Sequence, residues 1–516
     1  MGVDMKIKNI AIVGGGTAGW LAANHLGLEL SKRAGFNITV IESKDIPIIG
    51  VGEGTVAVIR KSLERLGINE AELLLRCDAT FKMGIKYIDW MSPKEGGNDN
   101  FFYHPFDAPY PSGLDATDFW LANKPCGFSE LAKTYIAAEK NLCPKLRNSP
   151  PYKGAINYAY HFDAKKFTEL LADHAKRRFG IFHKQKTISS ATLDEEGFIS
   201  ALHYDDGETE EFDFFIDCSG FNALLIGKTL GVPFVDKNDQ VIADKVLALQ
   251  VATNPEDEIF PYTKATAHTA GWIWDIPLTT RRGTGFVYSS SHMSEQEAVT
   301  AFSRYHGDNF CEDNVRKISM RAGYREKFWS KNCISLGLAQ GFVEPLESTS
   351  IVITDYCASL IAKLLPDCRG DMESRSQQIN RRVEYIWERV IDFVQLHYLI
   401  SDRKDSEFWR DCTEATKVSD LMKERLSLWR NFVPTYYDFS ADIEFFQRES
   451  FLAVLYGMDY PTRAVEGSDD YNKFVKGKMT EHFSNAESLA GSLIPQRQWF
   501  NEFYDYAATA KKMGNM

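Results

Sequence analysis

Several things are scarce in this chain, and each scarcity removes a class of function. Its nine cysteines are scattered over 516 residues without a C-x-x-C pair, and no two histidines stand at ligand spacing. That pattern offers no metal site and suits structural thiols in a reducing cytoplasm. Positive charge is in deficit: the net charge of −12 argues against nucleic acid and anionic membrane surfaces as main partners. No apolar run is long enough to cross a bilayer, and the first, Ile10 to Val13, has the length of a core strand. Met1 to Lys8 is charged and lacks the apolar stretch of a secretory signal. Internal repeats, low-complexity tracts and linkers are missing as well. What remains is a chain that is 44% hydrophobic, able to bury a large core and long enough for more than one domain.

What the sequence does contain starts with a glycine turn. Ile10-Ala11-Ile12-Val13 reads as a strand, and Leu21 to Leu26 reads as a helix. Between them Gly14, Gly16 and Gly19, with Thr17 and Ala18, fit G-x-G-x-x-G in its confirming setting of strand, tight turn and helix. Glycines there let the backbone approach a pyrophosphate, and the helix N-terminus faces the negative charge. A second apolar run ends in Glu42, at the distance where a carboxylate holds a ribose hydroxyl. The β-α-β unit over residues 7 to 42 sets the class as α/β and implies a bound dinucleotide.

A second glycine cluster, Gly50-Val51-Gly52-Glu53-Gly54, precedes a helical pattern at Val58, Ile59, Leu63 and Leu66, and marks another close backbone approach or a plain turn. Phe81 to Trp90 alternates as one strand, placing Lys82 and Lys86 on one face; by composition alone each is a solvated lysine. Residues 94 to 126, rich in Gly, Pro, Asp and aromatics, read as a long irregular loop, suited to substrate binding or to irregular packing. A helix is predicted over 163–179, a hairpin at Asp206-Gly207, and a strand from Phe212 to Asp217. Ser219, just past that strand, falls where doubly wound folds meet their ligand. Residues 240 to 292 read as another sheet, and Cys333 to Leu338, which includes Gly337, as a strand. Ser348-Thr349 reads as an N-cap whose free N–H groups could hold an anion, with Ser350 and Ile351 opening the helix. A long amphipathic helix is predicted from Met372 to Tyr398, and mostly helix beyond it.

In this order, the motifs resemble those of the flavin-dependent tryptophan halogenases over almost the whole chain. The residues carrying the likeness are Gly14 to Trp20, Gly50 to Thr55, Phe81-Lys82, Phe102 to Phe106, Tyr160 to Asp163, Trp272-Ile273-Trp274-Asp275-Ile276-Pro277, Phe342 to Thr349, and Phe393 to Tyr398. The resemblance implies an FAD-binding Rossmann-like fold of the flavin monooxygenase type, with an added β-sheet and a largely helical C-terminal substrate region. Residues 1–370 would form the FAD-binding, halide-oxidising module with its inserted loops, and 371–516 the substrate region packed on it.

In such enzymes reduced FAD and O2 oxidise a bound halide ion to hypohalous acid, which travels to an essential lysine. Lys82 matches that lysine and Glu347 the family's catalytic glutamate. FAD contacts are implied for Gly14, Gly16, Thr17, Ala18, Gly19, Glu42, Gly50, Val51, Gly52, Ser219, Gly337, Ser348 and Ile351. Thr349 and Ser350 match the halide-binding backbone positions, although many relatives carry glycine where this chain has Ser350. Trp272 and Trp274 match residues between flavin and substrate, His104 and Phe106 a pair that sandwiches the indole, and Tyr436-Tyr437 a tyrosine pair in the amino-acid lid. The rest of that lid departs, with Ile443 or Phe451 near where relatives place a tryptophan. The expected substrate is therefore an indole or other electron-rich aromatic, with free tryptophan less favoured.

Implied partners are a separate flavin reductase, since no second nucleotide site is legible for NADPH, and, by analogy, a second copy in a homodimer. Two other functions fit the glycine turn: an aromatic hydroxylase, which has no use for Lys82 or W-x-W-x-I-P, and a flavin carrier or sensor without turnover.

Overall fold

The computed structural model describes residues 6–33, 35–45, 52–93, 100–414, 417–440 and 443–513. Gly50 and Val51, two of the expected FAD contacts, lie outside the described residues. A six-stranded sheet organises the N-terminal part, in the order Trp329–Ser330, Cys333–Ser335, Phe214–Asp217, Asn9–Val13, Asn37–Glu42, Phe182–Gln185. All its pairings are parallel except the first. The register sets Val13 opposite Ile41 and Asp217, so Gly14, Glu42 and Ser219 leave the sheet along one edge, the carboxyl ends of the strands. Central strands buried on both faces carry Ile10, Ile12, Val40 and Ile216, which explains their unbroken apolar runs. The helix Thr17–Leu30 follows the turn and lies against the helices Ala164–Phe179 and Thr349–Leu364.

A seven-stranded sheet forms the second wall, ordered Arg316–Ser319, Lys245–Ala252, Arg281–Tyr288, Gly271–Pro277, Thr263–His268, Gly84–Ile88, Phe101–Pro105. A small sheet of Glu53–Gly54, Ala159–Phe162 and Thr80–Lys82 stands beside it. The long helix Met372–Leu399 buries the predicted Ile379, Val383, Ile386, Trp387, Val390 and Val394. The largest apolar cluster runs from Ile7 to Phe500, so the C-terminal helices share their core with the sheets. Among the described residues no helix is long and apolar enough to cross a membrane.

Three expectations are corrected. Phe81 to Trp90 is not one strand: Thr80–Lys82 belongs to the small sheet and Gly84–Ile88 to the seven-stranded one, with Met83 as the joint. Alternation cannot reveal such a break where both strands are buried, because only the partners change. Neither lysine is solvated: Lys82 is 0% exposed, and Lys86, largely covered, pairs with Glu139 at 2.6 Å over the Phe101 ring. The irregular loop expected over 94–126 contains the strand Phe101–Pro105 and the helix Thr117–Asn123. Aromatic side chains on both faces of that strand hid its period.

Candidate active site

At the edge of the parallel sheet the three glycines do different things. Gly14 has φ +114°, which a side chain would resist, and a Cβ there would fall 2.2 Å from the Cys218 carbonyl oxygen. A Cβ on Gly19 would fall 1.9 Å from the Gly14 carbonyl oxygen, so this glycine lets the helix seat on the strand. Gly16 instead has nothing within 4 Å of where a Cβ would stand, and it begins a helix with no side-chain cap. Free N–H groups below open space fit a pyrophosphate. Glu42 stands beside the turn: its Oε1 lies 2.6 Å from His183 Nε2, and its Oε2 fills the place of a Gly15 side chain. Gly337 (φ +61°) brings the next loop against Ala18, while Ser219 turns back on Asp217 through its N–H (3.0 Å) and hydroxyl (2.6 Å). Thr17 is turned to Thr168 (2.9 Å), leaving its backbone as the part that faces the turn.

Lys82 ends the strand Thr80–Lys82, and its Nζ donates to the Ser348 hydroxyl at 2.7 Å. The Phe106 ring centroid lies 5.6 Å from the same nitrogen. Gly54 stands over the pair: a side chain there would come within 3.2 Å of Nζ and 2.8 Å of the Ser348 Oγ. Burial, opposed only by the Glu347 charge, pushes the Lys82 ammonium down to about 7. Burial and the Lys82 charge also press His161 far below its usual value, so that ring is neutral and bonded to Thr263 at 2.9 Å.

Glu347, 1% exposed, is held more tightly than any other carboxylate of the site. His104 Nδ1 lies 2.9 Å from both carboxylate oxygens; the Tyr87 hydroxyl donates to Oε1 at 2.5 Å, and His397 Nε2 lies 3.0 Å from the same oxygen. Burial alone would raise its pKa, but the His104 charge and hydrogen bond, with His397, hold it well below the usual carboxylate range. Ser348 then takes the left-handed conformation (φ 55°, ψ 40°) and the helix Thr349–Leu364 begins. Ser348 stands at the N-cap position as expected, yet its side chain caps nothing and serves Lys82 instead. The Thr349 hydroxyl is buried with no partner among the described residues, beside uncapped N–H groups, and Ile351 is buried two residues on.

The remaining expected residues divide. Trp272 and Trp274 share the buried inner face of their strand, 6.2 Å apart. His104 and Phe106 sit at the centre, on Glu347 and Lys82 respectively. Tyr436 is half-exposed and bonds to Tyr110 and Glu449, whereas Tyr437 is 98% exposed. Near His104 the structure places Phe446, stacked on Phe393 at 4.0 Å, while Phe451 packs on Trp429 and Phe393. Sequence reasoning gave no role to Tyr87 or His397. His397 lay inside a motif quoted for its resemblance, but Tyr87 had only its place in an alternating strand.

The parallel sheet with its open glycine turn, and the buried lysine with its histidine-bound glutamate, are the two features by which the chain is compared with known proteins. The tryptophan halogenase family model matches residues 9–471, and the chain belongs to that family. It is 34% identical to the tryptophan 6-halogenase ThaL of Streptomyces albogriseolus over 447 residues, 84% of this chain and 83% of that one. The solved tryptophan halogenase of Shewanella frigidimarina superposes with a TM-score of 0.92 at 34% identity, covering 97% and 98% of the two chains. BrvH, a flavin-dependent halogenase from Brevundimonas, does so with a TM-score of 0.85 at 33% identity, covering 96% and 99%. The protein is thus an enzyme of the flavin-dependent halogenase type, with the fold that goes with it.

Proposed function

We propose that this enzyme halogenates an electron-rich aromatic of the indole type, and that Lys82 delivers the halogen. The observation that carries the reading is a lysine nitrogen wholly out of water, bound to Ser348 and facing the Phe106 ring. Gly14, Gly16, Thr17, Ala18, Gly19, Glu42, Gly52, Ser219, Gly337, Ser348 and Ile351 would hold FAD. When bound in reduced form, the flavin supplies with O2 the oxidising power that turns halide into hypohalous acid. Backbone N–H groups of Thr349 and Ser350 would hold the halide at the helix N-terminus. At about 7, Lys82 offers both forms near neutral pH: an ammonium that donates to hypohalous acid, and an amine that can carry the halogen. Either keeps the electrophile beside one ring carbon, which is catalysis by positioning. Glu347 stabilises the cationic ring and takes the proton that leaves. Reduced FAD would come from a separate flavin reductase, and two copies would pair as a homodimer in the cytoplasm.

On the substrate side, the exposure of Tyr437 and the pairing of Tyr436 with Tyr110 and Glu449 support a lid that does not grip a free amino acid. Mass spectrometry of products from an indole and phenol panel, with each halide and a flavin reductase, should give halogenated indoles. Equal or better turnover of free tryptophan would sink that preference. The cradle has its own test. A Gly15→Val side chain would collide with the Glu42 carboxylate, its Cβ 1.7 Å from Oε2. We expect FAD affinity to fall roughly ten- to hundredfold, as overpacking by about 1–3 kcal/mol implies. A flavin titration followed by absorbance reads it, and unchanged affinity would place the dinucleotide elsewhere.

A further inference from the structure

Three residues before Glu347 stands a second carboxylate, Glu344, 1% exposed, to which the proposed reaction gives no part. Its Oε1 accepts two hydrogen bonds, from the indole Nε1 of Trp272 at 3.1 Å and from the Tyr398 hydroxyl at 2.5 Å. Its Oε2 is buried and has no partner among the described residues. A buried carboxylate with one bare oxygen is costly, and packing alone would be served better by an amide or an apolar side chain. What the carboxylate adds is a directional hold on Trp272, whose ring meets those of Trp274 and Trp90 at 6.2 and 6.4 Å.

We propose that Glu344 is a positioning residue that fixes the Trp272 indole, and that it does so more firmly as a carboxylate than as an acid. An ionised acceptor roughly doubles the strength of a hydrogen bond. Among the described residues, the titratable groups that interact with Glu344 from neighbouring elements are the Tyr398 and Tyr87 phenols and the Cys412 thiol, and Glu347 stands three residues along the same segment. Burial pushes both phenols and the thiol up, and Glu347 stays ionised well below neutrality. Burial lifts Glu344 itself to about 7, against the two donors on Oε1. Near neutral pH, Glu344 is therefore the group of this set that changes charge, and Trp272 is held above that pH and loosened below it. A consequence rests on the proposed function: a loosened Trp272 lets oxidant escape before it reaches Lys82, so product per reduced flavin falls.

Protein labelled with 15N-tryptophan, free of flavin and substrate, tests the first claim. The Trp272 Nε1–H resonance, assigned by its loss in Trp272→Phe, should shift with a midpoint near 7. Tyr398→Phe removes a donor to the carboxylate and should move that midpoint upward. Glu344→Gln should abolish the step. A wild-type resonance without a step, a full step in Glu344→Gln, or an unmoved midpoint in Tyr398→Phe would each overturn the proposal. Under turnover, product per reduced flavin should rise from acid to alkaline pH in the wild type, roughly two- to tenfold for one hydrogen bond of altered strength. Glu344→Gln should stay at the acid-side value, and equal yields at alkaline pH would contradict the proposal. If the wild-type enzyme made no halogenated product with any halide, the proposed function would fail while the resonance measurements still decided the role of Glu344.

Discussion

Lys82→Ala should abolish halogenated product while reduced flavin is still consumed. Thr349 and Ser350, the proposed halide holders, and the glycine turn are not altered by that change, so the oxidant should still form and then escape unguided. Positioning of this kind is worth several orders of magnitude, and we expect a loss of roughly 10³-fold or more in product formation. Mass spectrometry of the product beside spectrophotometric flavin oxidation checks it. An enzyme that kept oxygenating its substrate without Lys82 would be a hydroxylase. A stability corollary follows from the buried charge. The unfolded chain keeps the lysine proton up to about 10.5 and the folded chain releases it near 7, so unfolding takes up a proton between these values. Stability therefore rises with pH through that window, and below it the buried ammonium is a full liability. Lys82→Met should raise the melting temperature most on the acid side, by a stabilisation on the order of a few kcal/mol at about 1.4 kcal/mol per pH unit.

Glu347→Gln should lower product turnover by roughly 10²–10³-fold, within the range for loss of a general base or of charge placed against a cationic intermediate. An amide still fits between Tyr87, His104 and His397, so substrate affinity should change little and the loss should appear in kcat. Because the carboxyl is held well below its usual range, no acid limb from Glu347 should appear near neutrality in the wild type. Its ion pairing contributes stability above the ordinary carboxylate pKa, and that contribution fades as pH falls through the lower folded value. The Gln variant should lack that fading. A variant with unchanged kcat would remove Glu347 from the chemistry.

Much of this was legible along the chain because it is local. The glycine turn, its flanking strand and helix, and Glu42 follow one another closely, and the long helix from Met372 announces itself by period. The site is a different matter. Lys82 and Ser348 meet across 266 positions, and Tyr87 and Glu347 across 260, through sheets whose pairing no local pattern encodes. Burial of both strand faces concealed the joint at Met83 and the strand Phe101–Pro105, since an alternation argument needs one polar face. The resemblance named Lys82 and Glu347, but it did not reveal that two histidines and a phenol surround that glutamate.

Ser348 joins two demands that cannot be improved separately. Its left-handed backbone sits between Glu347 and the helix at Thr349, while its hydroxyl receives the Lys82 nitrogen. Glycine would suit the conformation and leave the lysine without its oxygen; threonine would keep the oxygen and add a branch where the backbone tolerates it least. Under the proposed function this position is a bottleneck for redesign, and useful variation has to come from the walls around it.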